Sequence, residues 1–156
     1  MKKYKPERIL DIGCGCGAFY ELCRRELPEI DYVGMDYSSN AIDLCRKTWY
    51  GGSFIEKDLL SLTESDIKKY DILHLGALLD VLPNGDEALQ HLLSLSPKNI
   101  LIGRIRFTET ESFYDVYDAY NIKTYAYHHS RIHFESMCED HGYKINRISN
   151  NIYLTK

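Results

Sequence analysis

The chain has 156 residues, enough for one domain, residues 1–156, with a real core, and its 44% hydrophobic and 27% charged content argues against a disordered chain. A formal net charge of −4, with no long block of lysine and arginine, argues against nucleic acid as the main partner. No apolar run reaches membrane-spanning length, no apolar signal core follows the basic start, and five scattered cysteines form no disulfide framework, so the expectation is a cytoplasmic protein with reduced thiols and no membrane partner.

In chain order, strand and helix signals alternate. A first strand is expected over residues 8–13, followed by Gly13-Cys14-Gly15-Cys16-Gly17 and a helix over 17–27 with Ala18, Phe19, Leu22, Cys23 and Leu27 on its apolar face, closed by Pro28. Tyr32-Val33-Gly34-Met35-Asp36 reads as a second strand. Ser38 or Ser39 can cap the next helix, which turns Ala41, Ile42 and Cys45 inward. Gly51-Gly52 is a break, residues 53–58 a third strand, and a helical turn follows Thr63. Residues 70–76 form a fourth strand, Pro83-Asn84-Gly85 a turn, and Asp86 the expected cap of a helix with Leu89, Leu92 and Leu93 inward. A fifth strand covers 99–105. Residues 108–128 are polar and tyrosine-rich, with Phe113, Tyr117 and Tyr120 on one helical face, which suggests a core-packed helix or a lid. Ser130 can cap a last helix carrying Phe134, Met137 and Cys138, stopped at Gly142, before an antiparallel pair over 143–149 and 152–156. This order implies a mostly parallel sheet with helices on both faces.

Glycine at a strand-to-helix turn lets the backbone approach a ligand where a Cβ would collide. Gly13, Gly15 and Ala18 fit the dinucleotide pattern G-x-G-x-x-A, so the loop alone is ambiguous. Asp11, two residues before the first glycine, shifts the balance. The segment Leu10-Asp11-Ile12-Gly13-Cys14-Gly15-Cys16-Gly17 closely resembles the first motif of class I S-adenosylmethionine-dependent methyltransferases, and the antiparallel finish is similar too. The resemblance implies an α/β, three-layer Rossmann-like methyltransferase fold: a mostly parallel seven-stranded sheet with an antiparallel last strand, here without the usual N-terminal helices.

It also implies a cofactor, S-adenosylmethionine, and a set of contacts. Asp11 would lie near the methionine end, with Gly13, Cys14 and Gly15 against the cofactor and carbonyls at Gly76 and Ala77 receiving its ammonium. Asp36 would accept hydrogen bonds from the ribose hydroxyls, with Tyr37 beside the adenine. Asp58 would accept from the adenine amino group and the Leu59 N–H would meet a ring nitrogen. Val81-Leu82-Pro83 matches a stretch after the fourth strand, although the usual histidine is missing or shifted, and Asp80 reads as structural. No Asn/Asp-Pro-Pro-Tyr/Phe motif and no Pro-Cys nucleophile appear, which disfavours DNA bases and favours a small-molecule oxygen, nitrogen or carbon acceptor.

A sulfonium methyl donor needs mainly alignment with its acceptor, plus a base if the acceptor is a hydroxyl. His128 or His129 is the candidate base. Arg104 and Arg106, after the fifth strand, are candidates to pair with an acidic substrate group. His129 and His133 are spaced for one helix face but lack further ligands, so no metal is expected. Seven residues precede the expected first strand, so cover for the site is expected from the tyrosine-rich segment, from a second subunit in a homodimer, or from nothing. Two other readings stay open: a catalytically silent binding or partner subunit, and an NAD-dependent oxidoreductase.

Overall fold

The computed structural model describes residues 6–119, 122–148 and 150–156. Of the expected features, the basic start, Tyr120 and Ser149 lie outside the described residues.

Among the described residues, ten strands and five α-helices follow one another as β1 (Arg8–Ile12), α1 (Ala18–Glu26), β2 (Asp31–Asp36), α2 (Ser39–Thr48), β3 (Ser53–Glu56), a 3₁₀ turn (Leu59–Ser61), α3 (Glu64–Ile67), β4 (Ile72–Gly76), α4 (Gly85–Ser94), β5 (Asn99–Gly103), β6 (Phe107–Thr108), β7 (Phe113–Ala119), β8 (Ile122–Ser130), α5 (Arg131–Asp140), β9 (Lys144–Ile148) and β10 (Asn151–Thr155). The main sheet has the order β3-β2-β1-β4-β5-β10-β9. Its first five strands pair in parallel, and β10 runs antiparallel between β5 and β9. Parallel neighbours need crossovers, and α1, α2 and α4 supply three of them.

The period-two alternation of the strands divides the core. Leu10, Ile12, Leu73, Leu75, Ile100, Ile102, Ile152 and Leu154 join Leu89, Leu92 and Leu93 of α4 and Phe134, Met137 and Cys138 of α5 in one large cluster. The other face carries a smaller cluster of Ile9, Cys14, Cys23, Tyr32, Ile42, Cys45 and Phe54. The antiparallel register sets Ile152 against Ile102 and Leu154 against Ile100, so the last strand completes the larger cluster.

Three local expectations are corrected. The tyrosine-rich segment is neither a helix nor a helical lid: Phe113 to Ala119 forms β7, paired antiparallel with β8 in a second, three-stranded sheet of order β6-β8-β7. Cross-strand partners decide this. Phe113 stacks on His128 directly opposite, with centroids 4.6 Å apart and planes 5° from parallel, and Tyr114 meets Tyr125 edge-on at 5.4 Å. Asp86 does not cap α4. Asn84 holds the cap position without a side-chain cap bond, and the Asp86 carboxylate turns to His129. The fifth strand ends at Gly103 because Arg104 enters the left-handed region at φ 50°.

Phe134 is fully buried, edge-on to Phe107 at 5.2 Å. Phe134→Ala is expected to lower stability by about 3–5 kcal/mol, read from urea unfolding followed by circular dichroism.

Candidate functional site

The glycine loop leaves the carboxyl end of β1 and folds back on β2. The N–H groups of Gly13 and Cys14 both donate to the Met35 carbonyl, at 2.7 and 3.0 Å. The Gly15 N–H donates to Asp36 Oδ2 at 2.9 Å, and the Gly17 N–H to the Cys14 carbonyl at 3.0 Å. Four loop donors are therefore spent inside the protein and are not presented to a phosphate. The loop carbonyls are held from α2 and its end: Cys45 Sγ donates to Gly15 O at 3.1 Å and Trp49 Nε1 to Cys16 O at 2.8 Å. Burial pushes the Cys45 thiol up, which keeps its proton in place for that bond. Gly17, at φ 82°, cannot be replaced without conflict, since an added Cβ would sit 2.5 Å from Trp49 Nε1.

Beside this loop lies a cavity of about 250 Å³. It sits at the carboxyl ends of β1 and β2, next to the point where strand order reverses between β1 and β4, the usual ligand position in open α/β sheets. Ile12, Met35, Leu59, Leu60, Leu78 and Leu82 give it apolar walls, while Asp36, Tyr37, Lys57, Asp58 and Asn84 supply polar groups. Asp36 is 9% exposed, and its oxygens are fixed by N–H donors from Ser38 and Gly15, both at 2.9 Å. Each oxygen keeps a free lone pair. Asp58 stands at the start of the 3₁₀ turn, where Oδ1 accepts from the Leu60 N–H at 2.8 Å. Lys57 is held by Asp66 at 2.8 Å. At Gly13 a Cβ would come within 2.8 Å of Leu78 Cδ1, so glycine keeps the floor of the cavity open.

Of the expected cofactor residues, Gly13, Asp36, Tyr37, Asp58 and Leu59 come together here. Asp11, Cys14, Gly15, Gly76 and Ala77 do not line the cavity. Cys14 is turned into the smaller core, and burial drives its thiol well above the usual range. Asp11 is 2% exposed and accepts from Tyr32 Oη at 2.5 Å and from His74 Nδ1 at 2.6 Å. Gly76 and Ala77 end β4, with the Ala77 N–H bonded to Gly103 O at 2.9 Å.

The expected substrate and catalytic residues lie away from this cavity. Arg104 and Arg106 converge on the fully buried Asp80: Arg104 Nε lies 3.1 Å and Arg106 Nη1 3.7 Å from Oδ2. Their acidic partner is thus inside the chain. His128 is stacked on Phe113 and lies 3.5 Å from Asp115, on the hairpin. His129 is fully buried, with Nδ1 2.6 Å from Asp86 Oδ1 and Nε2 without a partner. Alternation along β8 sends the two rings to opposite faces, and neither lines the cavity. His129 ends a strand while His133 lies in α5, so the spacing that suggested a shared helix face does not hold. Among the described residues no group of three or more metal-ligating side chains gathers.

Residues 10–98 match the family model described as a methyltransferase domain. The chain belongs to this family. It is 26% identical over 126 residues to malonyl-[acyl-carrier protein] O-methyltransferase from Halalkalibacterium halodurans, covering 77% of this chain and 46% of that one. It is 33% identical over 97 residues to trans-aconitate 2-methyltransferase from Methylobacterium nodulans, covering 62% and 37%. The chain thus spans less than half the length of these relatives. Among solved structures, the plantazolicin methyltransferase BpumL in complex with SAH is 32% identical with a TM-score of 0.57, covering 67% of this chain and 41% of that one. The sugar N-methyltransferase KedS8 from Streptoalloteichus sp is 9% identical with a TM-score of 0.69, covering 97% and 80%, a likeness of fold.

Burial opposes the charge on Asp86, yet hydrogen bonds from His129, Ser112 and Tyr127 hold its carboxyl below the usual range. Its folded pKa therefore lies under the unfolded one. The resulting stability is complete above the ordinary Asp pKa of about 4 and is lost as pH falls through the lowered folded value. Asp86→Asn is expected to destabilise the protein at neutral pH, with the difference from the parent shrinking from about pH 4 downward and vanishing below the lowered folded value, measured by chemical unfolding across pH.

Proposed function

We propose that this chain transfers a methyl group from S-adenosylmethionine to a small-molecule acceptor. One observation carries the reading: Asp36, its carboxylate fixed by the Gly15 and Ser38 amides, rims an apolar slot that Asp58 rims as well. The chemistry of this set fits the cofactor. Paired hydroxyls and an exocyclic amine are donors, and two acceptor-only carboxylates suit them. Leucine, isoleucine and methionine walls suit a flat purine. Relatives named as methyltransferases and a neighbour solved with SAH support the same reading.

S-adenosylmethionine supplies a methyl group already activated on a sulfonium. The chain's own part is to bind and orient: Asp36 takes the ribose hydroxyls, Asp58 the adenine amino group, and Tyr37 covers the base. No histidine lines the cavity, so catalysis rests on alignment and on exclusion of water. The acceptor is a small molecule, and the location is cytoplasmic. In support of that location, no helix among the described residues is long and apolar enough to cross a membrane.

The functional unit is a homodimer. Tyr114 and Val116 leave 51% and 50% of their surfaces exposed on one face of the β7–β8 hairpin, a patch that a second copy can cover. Light scattering is expected to give twice the chain mass, falling to the single mass for Val116→Asp.

Calorimetry with S-adenosylhomocysteine is expected to show one site, weakened about tenfold or more by Asp36→Asn, the loss typical of a hydrogen bond to a charged group. NAD is expected to give no heat. Tight NAD binding without S-adenosylhomocysteine binding overturns the reading.

A further inference from the structure

Asp11 presents an electrostatic problem that the proposed contacts leave unsolved. Its carboxylate is 2% exposed. Among the described residues no lysine or arginine lies within ion-pair distance of it. Its partners are a phenol, Tyr32 Oη at 2.5 Å, and an imidazole, His74 Nδ1 at 2.6 Å. Burial and the neighbouring Asp11 carboxylate drive the Tyr32 hydroxyl well above the usual tyrosine range, so it stays a donor. Buried carboxylates are generally paired, so a cation placed near this one would be favoured.

The geometry of His74 shows where that cation would sit. In the tautomer that carries its proton on Nδ1, toward Asp11, the ring offers Nε2 as an acceptor. One face of the ring is covered by Phe19, with centroids 3.7 Å apart and planes 20° from parallel. His74 and Gly76 project from the same face of β4. A Cβ added to Gly76 would lie 2.8 Å from Cε1 and 3.4 Å from Nε2 of this ring. The Cε1–Nε2 edge therefore leans along β4 toward its carboxyl end, the edge at which the glycine loop leaves β1. Nε2 is not sealed in: among the described residues the buried polar atoms without partners are Asp80 Oδ1, His91 Nε2 and His129 Nε2.

Building on the cofactor reading above, we infer that His74 Nε2 accepts a hydrogen bond from the amino-acid ammonium of the cofactor, with Asp11 as the positioning residue that fixes the ring and supplies the charge. Asp11 then acts on the methionine end through an imidazole rather than by contact. Gly76 is required for clearance, since any side chain there would meet the ring. Phe19, on the first helix after the loop, locks the ring plane, so helix and strand together hold the acceptor in place.

Three ligands divide the possibilities: S-adenosylhomocysteine, which carries ammonium and carboxylate; its decarboxylated form, which keeps the ammonium; and 5′-methylthioadenosine, which lacks both. In His74→Asn the side-chain amide can still donate to Asp11 from near the Nδ1 position, while the Nε2 acceptor is gone. Affinity for the first two ligands is expected to fall about tenfold or more, the loss typical of a charged hydrogen bond, with 5′-methylthioadenosine unchanged. Asp11→Asn is expected to give the same selective loss, and it serves as the test if His74→Asn does not fold. Equal effects on all three ligands, or none, overturn the assignment. Loss confined to S-adenosylhomocysteine overturns it too, because the contact would then be to the carboxylate. A parent protein that binds none of the three overturns the cofactor reading itself, an outcome separable from the others.

Discussion

The site depends on how the glycine loop disposes of its own amides. Three successive N–H groups, from Gly13, Cys14 and Gly15, close onto the last two residues of β2, two on the Met35 carbonyl and one on the Asp36 carboxylate. Buried amides must find partners, and here the neighbouring strand provides them. The result couples two things that a ligand needs at once. The loop keeps only Gly13 against the cavity, and Asp36 is held with both oxygens oriented. The same closure explains why a nucleotide phosphate is poorly served: its natural donors are already engaged, and what remains is an apolar slot with acidic rims.

A second set of polar groups anchors the hairpin from beneath. Asp80 accepts from Arg104 and Arg106, and its carbonyl accepts from the Tyr127 N–H at 2.9 Å. Asp86 binds His129, whose own N–H reaches the Arg106 carbonyl at 2.9 Å. These bonds tie the segment after β4, the segment after β5 and strand β8 into one unit. Buried charges of this kind contribute little net stability but fix which segments meet. Residues that look functional by type, two arginines and a histidine, are thus claimed by the fold.

The alternation of strand and helix through residue 103 was legible because the elements carry clean periods and chemical boundaries, such as Pro28 after α1 and Ser38 before α2. Asp36 ends β2 and Asp58 follows β3 at the start of the 3₁₀ turn, and both stand beside the cavity, positions that the strand pattern alone points to. The chain beyond Arg104 was harder to read. In residues 108–128, aromatics spaced for a helix also alternate for a strand, and only the cross-strand partners Tyr125 and His128 decide between them. His74 was missed for a similar reason. Its meaning comes from Asp11, 63 residues away in sequence and 2.6 Å away in space. Trp49 was missed as well, since nothing in the local pattern announces a bond to Cys16.

The antiparallel insertion of β10 has a consequence for the order in which the molecule is made. Strands β1 to β5 can assemble while the rest is still being synthesised, but the outer flank of β5 stays open until β10 emerges. Throughout that interval Ile100 and Ile102 line an unpaired margin whose eventual neighbours, Ile152 and Leu154, come about 50 residues later. The nascent polypeptide therefore carries an adhesive border until β10 emerges and closes it.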